Sequence, residues 1–185
     1  MTSTEKIKLA ADNLDSLKVV KYPDPRLREV CTPIEEINDD VRALAEKMKE
    51  IMFTNNGVGL AASQVGVTVR LFITSPTFDP QDFHVYINPE VISGEKPVSD
   101  EEGCLSFPGI YCKIKRNSVV TVRALDLDGN EVRETHTELA ARAFQHELDH
   151  LNGILLADRM GSISKMVHRS ALAELAEEYQ KAQQG

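Results

Sequence analysis

Apolar residues recur at helical spacing between Asn38 and Gly57: Val41, Leu44, Met48, Ile51 and Met52 fall on one stripe. That period predicts an amphipathic helix. Asn38 or Asp39 can cap its first turn, and Asn55-Asn56-Gly57 supplies residues that end it. Two runs rich in β-branched and aromatic residues, Val69 to Thr74 and His84 to Ile92, predict short strands. Ser118 to Leu125 and Glu131 to Thr135 read as a hairpin, because Asp128-Gly129 between them readily takes the positive φ angles of a tight turn. Thr135-x-x-Glu138 then has the form of a capping box and Gly153 that of a stop, which predicts a helix from about His136 to Asn152. A last helix is expected from Ile163 to Gln180, with His168, Leu172, Leu175 and Tyr179 on one face. Helices flanking several short strands predict an α+β domain.

Residues 1–18 read as a polar extension, and residues 19–185 as a single domain without repeats or a linker. Tyr22-Pro23-Asp24-Pro25 predicts an extended or turning entry, since a residue before proline is pushed out of the helical region. A chain of 185 residues with 42% hydrophobic and 27% charged residues can bury one core without staples. Composition also narrows function. There is no Trp and aromatics are 5%, which argues against stacking platforms for single strands. With 21 basic against 29 acidic residues the net charge is −8, unsuited to a phosphate backbone, so no direct nucleic-acid partner is expected. No apolar run approaches the roughly 18 residues that cross a bilayer, and Met1 to Lys18 has neither the apolar core of a secretion signal nor the composition of a transit peptide. A cytoplasmic location without membrane attachment is the expectation. Cys31, Cys104 and Cys112 are few and odd in number, so a disulfide framework is not expected.

The strongest chemical signal is His146-Glu147-Leu148-Asp149-His150. On a helix, two imidazoles at this spacing share a face and suit one metal ion, while Glu147 stays near enough to handle a proton of water. Leu139, Ala143, His146 and His150 continue one stripe, which puts both histidines on a face expected to be buried. Buried imidazoles without partners leave unsatisfied nitrogens, a cost that a shared cation removes. A catalytic site of this kind needs a third protein ligand. A third His six residues after the second is ruled out by Leu156, and Glu174, Glu177 and Glu178 belong to an acidic run that reads as a solvated face. Nothing singles out His84, His136 or His168. Cys104 lies in Glu102-Gly103-Cys104-Leu105-Ser106-Phe107-Pro108-Gly109, a strand-like segment bracketed by glycines. A lone cysteine is ordinarily a small buried hydrophobe, but a helix short of one ligand favours the thiolate. The segment Gly57 to Gly66 is too small and apolar for a simple solvent loop, and its Gln64 offers an amide donor. It lacks the Lys and Ser/Thr of a phosphate-binding loop.

Together, Gly57-x-Gly59-x-Ala61-Ala62-x-Gln64, Glu102-Gly103-Cys104-Leu105-Ser106 and Gln145-His146-Glu147-x-x-His150 resemble the three motifs of peptide deformylase in type, order and spacing, over roughly Tyr22 to Arg159. The Phe-Pro-Gly after Ser106 resembles a subgroup shared by some bacteria and plant organelles. The resemblance implies twisted antiparallel β-sheets wrapped around a central metal-binding helix, with an N-terminal and a C-terminal helix. It implies Cys104, His146 and His150 as metal ligands, Glu147 as the acid/base, and Gln64 with the Leu105 N–H as donors to a developing oxyanion. The implied ion is Fe(II) in cells, with Zn(II), Ni(II) or Co(II) able to take its place. The implied reaction removes the N-formyl group from the initiator methionine of N-formyl-methionyl nascent peptides and releases formate. Val58, Gly59, Leu139 and Ala143 would line the methionine pocket, beside Arg142, where many relatives carry an aliphatic residue. Some relatives have a basic last helix suited to the ribosome, whereas Ala171 to Tyr179 holds Glu174, Glu177 and Glu178 and no Lys or Arg. Ribosome docking through this element is therefore not expected, and the chain is read as a monomer. Two competing readings are a metallopeptidase with HExxH and a downstream Glu ligand, and a noncatalytic metal-binding module.

Overall fold

The computed structural model describes residues 1–184; Gly185, the end of the expected domain, lies outside them. Helix α1 (Ser3–Ala11) opens the chain, followed by α2 (Asp39–Thr54). Strands β1 (Gly59–Ala61), β2 (Leu71–Thr74), β3 (His84–Cys104), β4 (Phe107–Leu125) and β5 (Glu131–Thr137) come next. Helix α3 (Glu138–Leu151), the short α4 (Leu156–Arg159) and α5 (Ser162–Val167), and α6 (Arg169–Gln183) complete it. The five strands form one antiparallel sheet in sequence order, and α3 packs against all five of them.

The sheet lies between two helices. In β2 all four residues are buried; Leu71 and Ile73 face α2 with Leu44, Met48 and Met52, whereas Phe72 faces α3 with Phe144 and Tyr86. Side chains alternate across a strand, so a strand covered on both sides reads as a continuous apolar run. A third apolar group, around Leu27, Phe107, Ile110, Ile114, Leu155 and Leu175, ties the last helices to the outer part of β4.

The α2 stripe is buried at every expected position, and the Asn38 side chain accepts from the Val41 N–H at its N-terminus. Several boundaries differ. β3 and β4 are far longer than expected and form one hairpin that turns at Leu105-Ser106. Residues 92–101 are exposed, so their polar pattern hides a strand held by backbone pairing. In β4 the inward row begins earlier than Ser118, with Ile110, Cys112, Ile114 and Arg116 buried in alternation. The expected capping box at Thr135 is absent: Thr135 and His136 belong to β5, and α3 starts at Glu138 after an N-cap Thr137 that makes no side-chain bond. The last helix is divided at His168 into α5 and α6. The first 18 residues hold α1, capped by a reciprocal Thr2/Glu5 box, and its Ile7 and Ala10 enter the core beside α2. Their polar average conceals this short apolar face.

Candidate metal centre

Helix α3 and the tip of the β3–β4 hairpin make the site. His146 and His150, one turn apart, have ring centroids 5.0 Å apart. Cys104, last in β3, places Sγ 3.2 Å from His150 Nε2. Sγ and one nitrogen of each imidazole lie within 4.8 Å of one another, the one group of this kind among the described residues. The entry segment holds two of the loops in place: the Val20 N–H donates to Gln64 O at 2.8 Å and the Tyr22 N–H to Ser106 O at 2.9 Å.

The donor set can be tested against a cation by its own chemistry. One sulfur and two imidazole nitrogens suit a borderline divalent ion. Glu102 Oε2 accepts from His146 Nδ1 at 2.9 Å, which leaves Nε2 as the ring atom on the Cys104 side. Burial disfavours charge on His146, yet hydrogen bonds to Cys104 and Glu102 outweigh it and raise its pKa well above the ordinary range. The negative groups that favour a proton there would equally favour a metal cation. Burial, reinforced by His146, lowers His150 well below its ordinary range, keeping it the neutral imidazole that a ligand must be. The residues therefore fit the ion.

Glu147 is buried beside β1, where the strand passes so close that a Cβ on Gly59 would lie 2.5 Å from its Oε1. Its Oε2 has no hydrogen-bond partner among the described residues. Burial pushes its pKa up to about 7, against the attraction of His146 and Arg116. Gln64 sits in the tight turn Ala62–Val65 after β1. Its Oε1 accepts from the Ala61 N–H at 2.9 Å, which turns Nε2 outward to Ser106 Oγ at 3.2 Å and Cys104 Sγ at 3.4 Å. Leu105 follows Cys104 in the turn and is half-buried.

Other expected positions separate. Gly59 and Ala143 are buried and Val58 half-buried, but Leu139, placed by its stripe on the buried face, is 46% exposed. It lies in the first turn of α3, with Glu138 also exposed, before the core covers the helix. Arg142 turns its guanidinium to Glu102 Oε1 at 2.6 Å and Ile114 O at 3.0 Å. Glu174, Glu177 and Glu178 are exposed on α6, outside the metal group, so the downstream-Glu alternative has no ligand there. His84 pairs with Asp82, and His136 with the Tyr86 hydroxyl; His168 stands at the α5–α6 break.

Sequence reasoning left Glu102 without a role and missed Arg116, Asp149 and Ser106. Burial opposes ionisation of Glu102, but hydrogen bonds from His146 and Arg116 outweigh it and lower its pKa to about 2. The signal for Arg116 was its register: it continues the inward row Ile110, Cys112, Ile114, where a cation demands buried counter-charges.

The polypeptide deformylase family model matches residues 16–166. A peptide deformylase of Thermodesulfovibrio yellowstonii is 45% identical over 155 residues, covering 83% of this chain and 94% of that protein. The crystal structure of a peptide deformylase from Plasmodium falciparum gives a TM-score of 0.86 at 34% identity, over 89% of this chain and 98% of the other. One from Legionella pneumophila gives 0.82 at 36%, over 90% and 96%.

Proposed function

The chain belongs to the polypeptide deformylase family, metal-dependent enzymes that remove the N-formyl group from nascent peptides, and on that premise we propose that Cys104, His146 and His150 hold its ion and Glu147 moves the proton. The observation that carries the assignment is the convergence of Sγ and two imidazole nitrogens within 4.8 Å beside a buried carboxyl whose Oε2 has no protein partner. Fe(II) is the ion proposed in the cell, and the same donors accept Zn(II), Ni(II) or Co(II). When bound, such an ion supplies Lewis acidity that polarises a carbonyl and acidifies water.

The protein groups supply the rest. Glu147 Oε2 takes the proton of the water that adds to the formyl carbon, then gives it to the departing amine as the C–N bond breaks and formate leaves. Gln64 Nε2 and the Leu105 N–H donate to the formyl oxygen as charge develops on it; losing one such donor costs about 3 kcal/mol of transition-state stabilisation. Val58, Gly59 and Ala143 border the methionine side chain, with Leu139 at the exposed rim. Residues 19–185 carry the catalysis, and α1 braces them.

The substrate is proposed to be the N-formyl-methionyl nascent peptide, met in the cytoplasm by a monomer that does not dock on the ribosome through α6. Among the described residues no helix is long and apolar enough to cross a membrane. Glu147→Ala is expected to keep its metal while losing formate release from formyl-Met-Ala-Ser by several orders of magnitude, measured anaerobically with Fe(II). Near-normal turnover would reject the assignment.

A further inference from the structure

Four charged side chains alternate in sign between the surface and His146. Arg159, on α4, donates Nε to Asp149 Oδ2 at 2.9 Å and Nη2 to Oδ1 at 2.5 Å. Arg116 Nη1 donates to that same Oδ2 at 2.6 Å, while its Nε and Nη2 donate to the two oxygens of Glu102 at 2.8 and 3.0 Å. Glu102 Oε2 accepts from His146 Nδ1 at 2.9 Å. Only the outer end meets solvent: the Arg159 side chain is 45% exposed, against 10% for Asp149 and 4% for Arg116 and Glu102.

The guanidinium of Arg116 is planar and rigid, so it cannot move toward one carboxylate without loosening its hold on the other. Arg159 neutralises Asp149 from outside and leaves the Arg116 fork seated on Glu102. Without it, Asp149 faces Arg116 alone and draws it away from Glu102. In a buried network each link polarises the next, and the group that binds the far nitrogen of a ligand imidazole fixes the orientation of its ring. We infer that Arg159 is a positioning residue for the metal centre, acting through Asp149, Arg116 and Glu102 on His146 and so on how tightly the ion is held. This rests on His146 being a ligand.

The test is Co(II) binding to the full chain, read by chelator competition and by the visible absorption of the bound ion, with folding followed by circular dichroism. Arg159→Gln is expected to bind Co(II) about 3- to 10-fold more weakly and to shift the absorption bands, below the 10- to 100-fold typical of a group touching the ligand itself. Arg159→Lys, which keeps the charge and loses the fork, should fall between. Arg123→Gln removes an arginine as exposed as Arg159 from its pair with Glu90 and should change neither readout. In a Glu102→Gln background, Arg159→Gln should have no further effect, because the chain is already cut. Wild-type affinity and spectrum in folded Arg159→Gln, or an undiminished effect in the Glu102→Gln background, overturns the inference. If Arg159→Gln does not fold, wild-type affinity in Arg159→Lys overturns it. His146→Ala separates the two levels: metal loss there with unchanged binding in Arg159→Gln rejects only the ladder, whereas metal retention in His146→Ala rejects the ligand assignment and the ladder with it.

Discussion

Gly59 and Glu147 show how closely residue identity and chemistry are joined at this site. A methyl group on Gly59 would sit 2.5 Å from Glu147 Oε1 and 2.9 Å from its Cδ, so the glycine is needed for the approach of β1 and not for an unusual φ. Gly59→Ala is expected to displace the carboxyl and lower kcat about 100-fold, the scale of a misplacement near 1 Å, while Co(II) stoichiometry stays at wild type. A kcat within twofold of wild type, in a folded variant, would contradict the packing. Gln64 follows the same logic: the Ala61 N–H occupies its Oε1, so the donor end of the amide is aimed by backbone. The residue types at both positions were legible in the sequence as a glycine-rich segment ending in Gln64. Which glycine meets Glu147 was not, because the two are 88 positions apart and no local period relates them.

At the scale of elements, α3 is the member around which the others are placed. It touches every strand, with Ala141, Phe144 and Leu151 in the group that holds Phe72 and Tyr86, and His146, Glu147 and His150 buried on the helix as well. Its existence was legible from its cap signature and its Gly153 stop, but its first turn was not, because β5 runs directly into it and the sequence offers two threonines for one cap. Helix α1 is the larger surprise. Ile7 is 2% exposed and packs beside α2, in a stretch whose polar average suggested no structure. Ile7→Ala is expected to cost about 2 kcal/mol or more in urea unfolding; a loss below about 0.5 kcal/mol, the range of surface substitutions, would return the first 18 residues to the status of an extension.

For the whole molecule, the entry segment links the loops of the candidate site to global stability. Asp24 caps the turn Pro25–Arg28 and accepts from the Arg26 backbone N–H at 2.9 Å and from its guanidinium at 3.0 and 2.7 Å. Burial opposes ionisation of Asp24, but these bonds outweigh it and hold its pKa below the ordinary 3.8. The unfolded chain thus takes up this proton first on acidification. The stabilisation is complete above the ordinary value and is lost as pH falls through the lower folded value. Asp24→Asn should be less stable by about 1 to 2 kcal/mol at pH 7 and should lose less further stability between pH 4 and 2, measured by thermal unfolding; a parallel acid limb in variant and wild type would contradict this account. The sequence alone determined the α+β class, the α2 stripe, the Asp128-Gly129 turn and the three chemical motifs, because helical period, turn preference and ligand spacing are local properties. Only the tertiary structure decided that Cys104 stands 3.2 Å from His150, that the exposed residues 92–101 are strand, and that Arg116 binds both Glu102 and Asp149. Those are facts of long-range pairing, in which a side chain's partner is set by sheet register and helix packing, and the residues between the partners carry no trace of it.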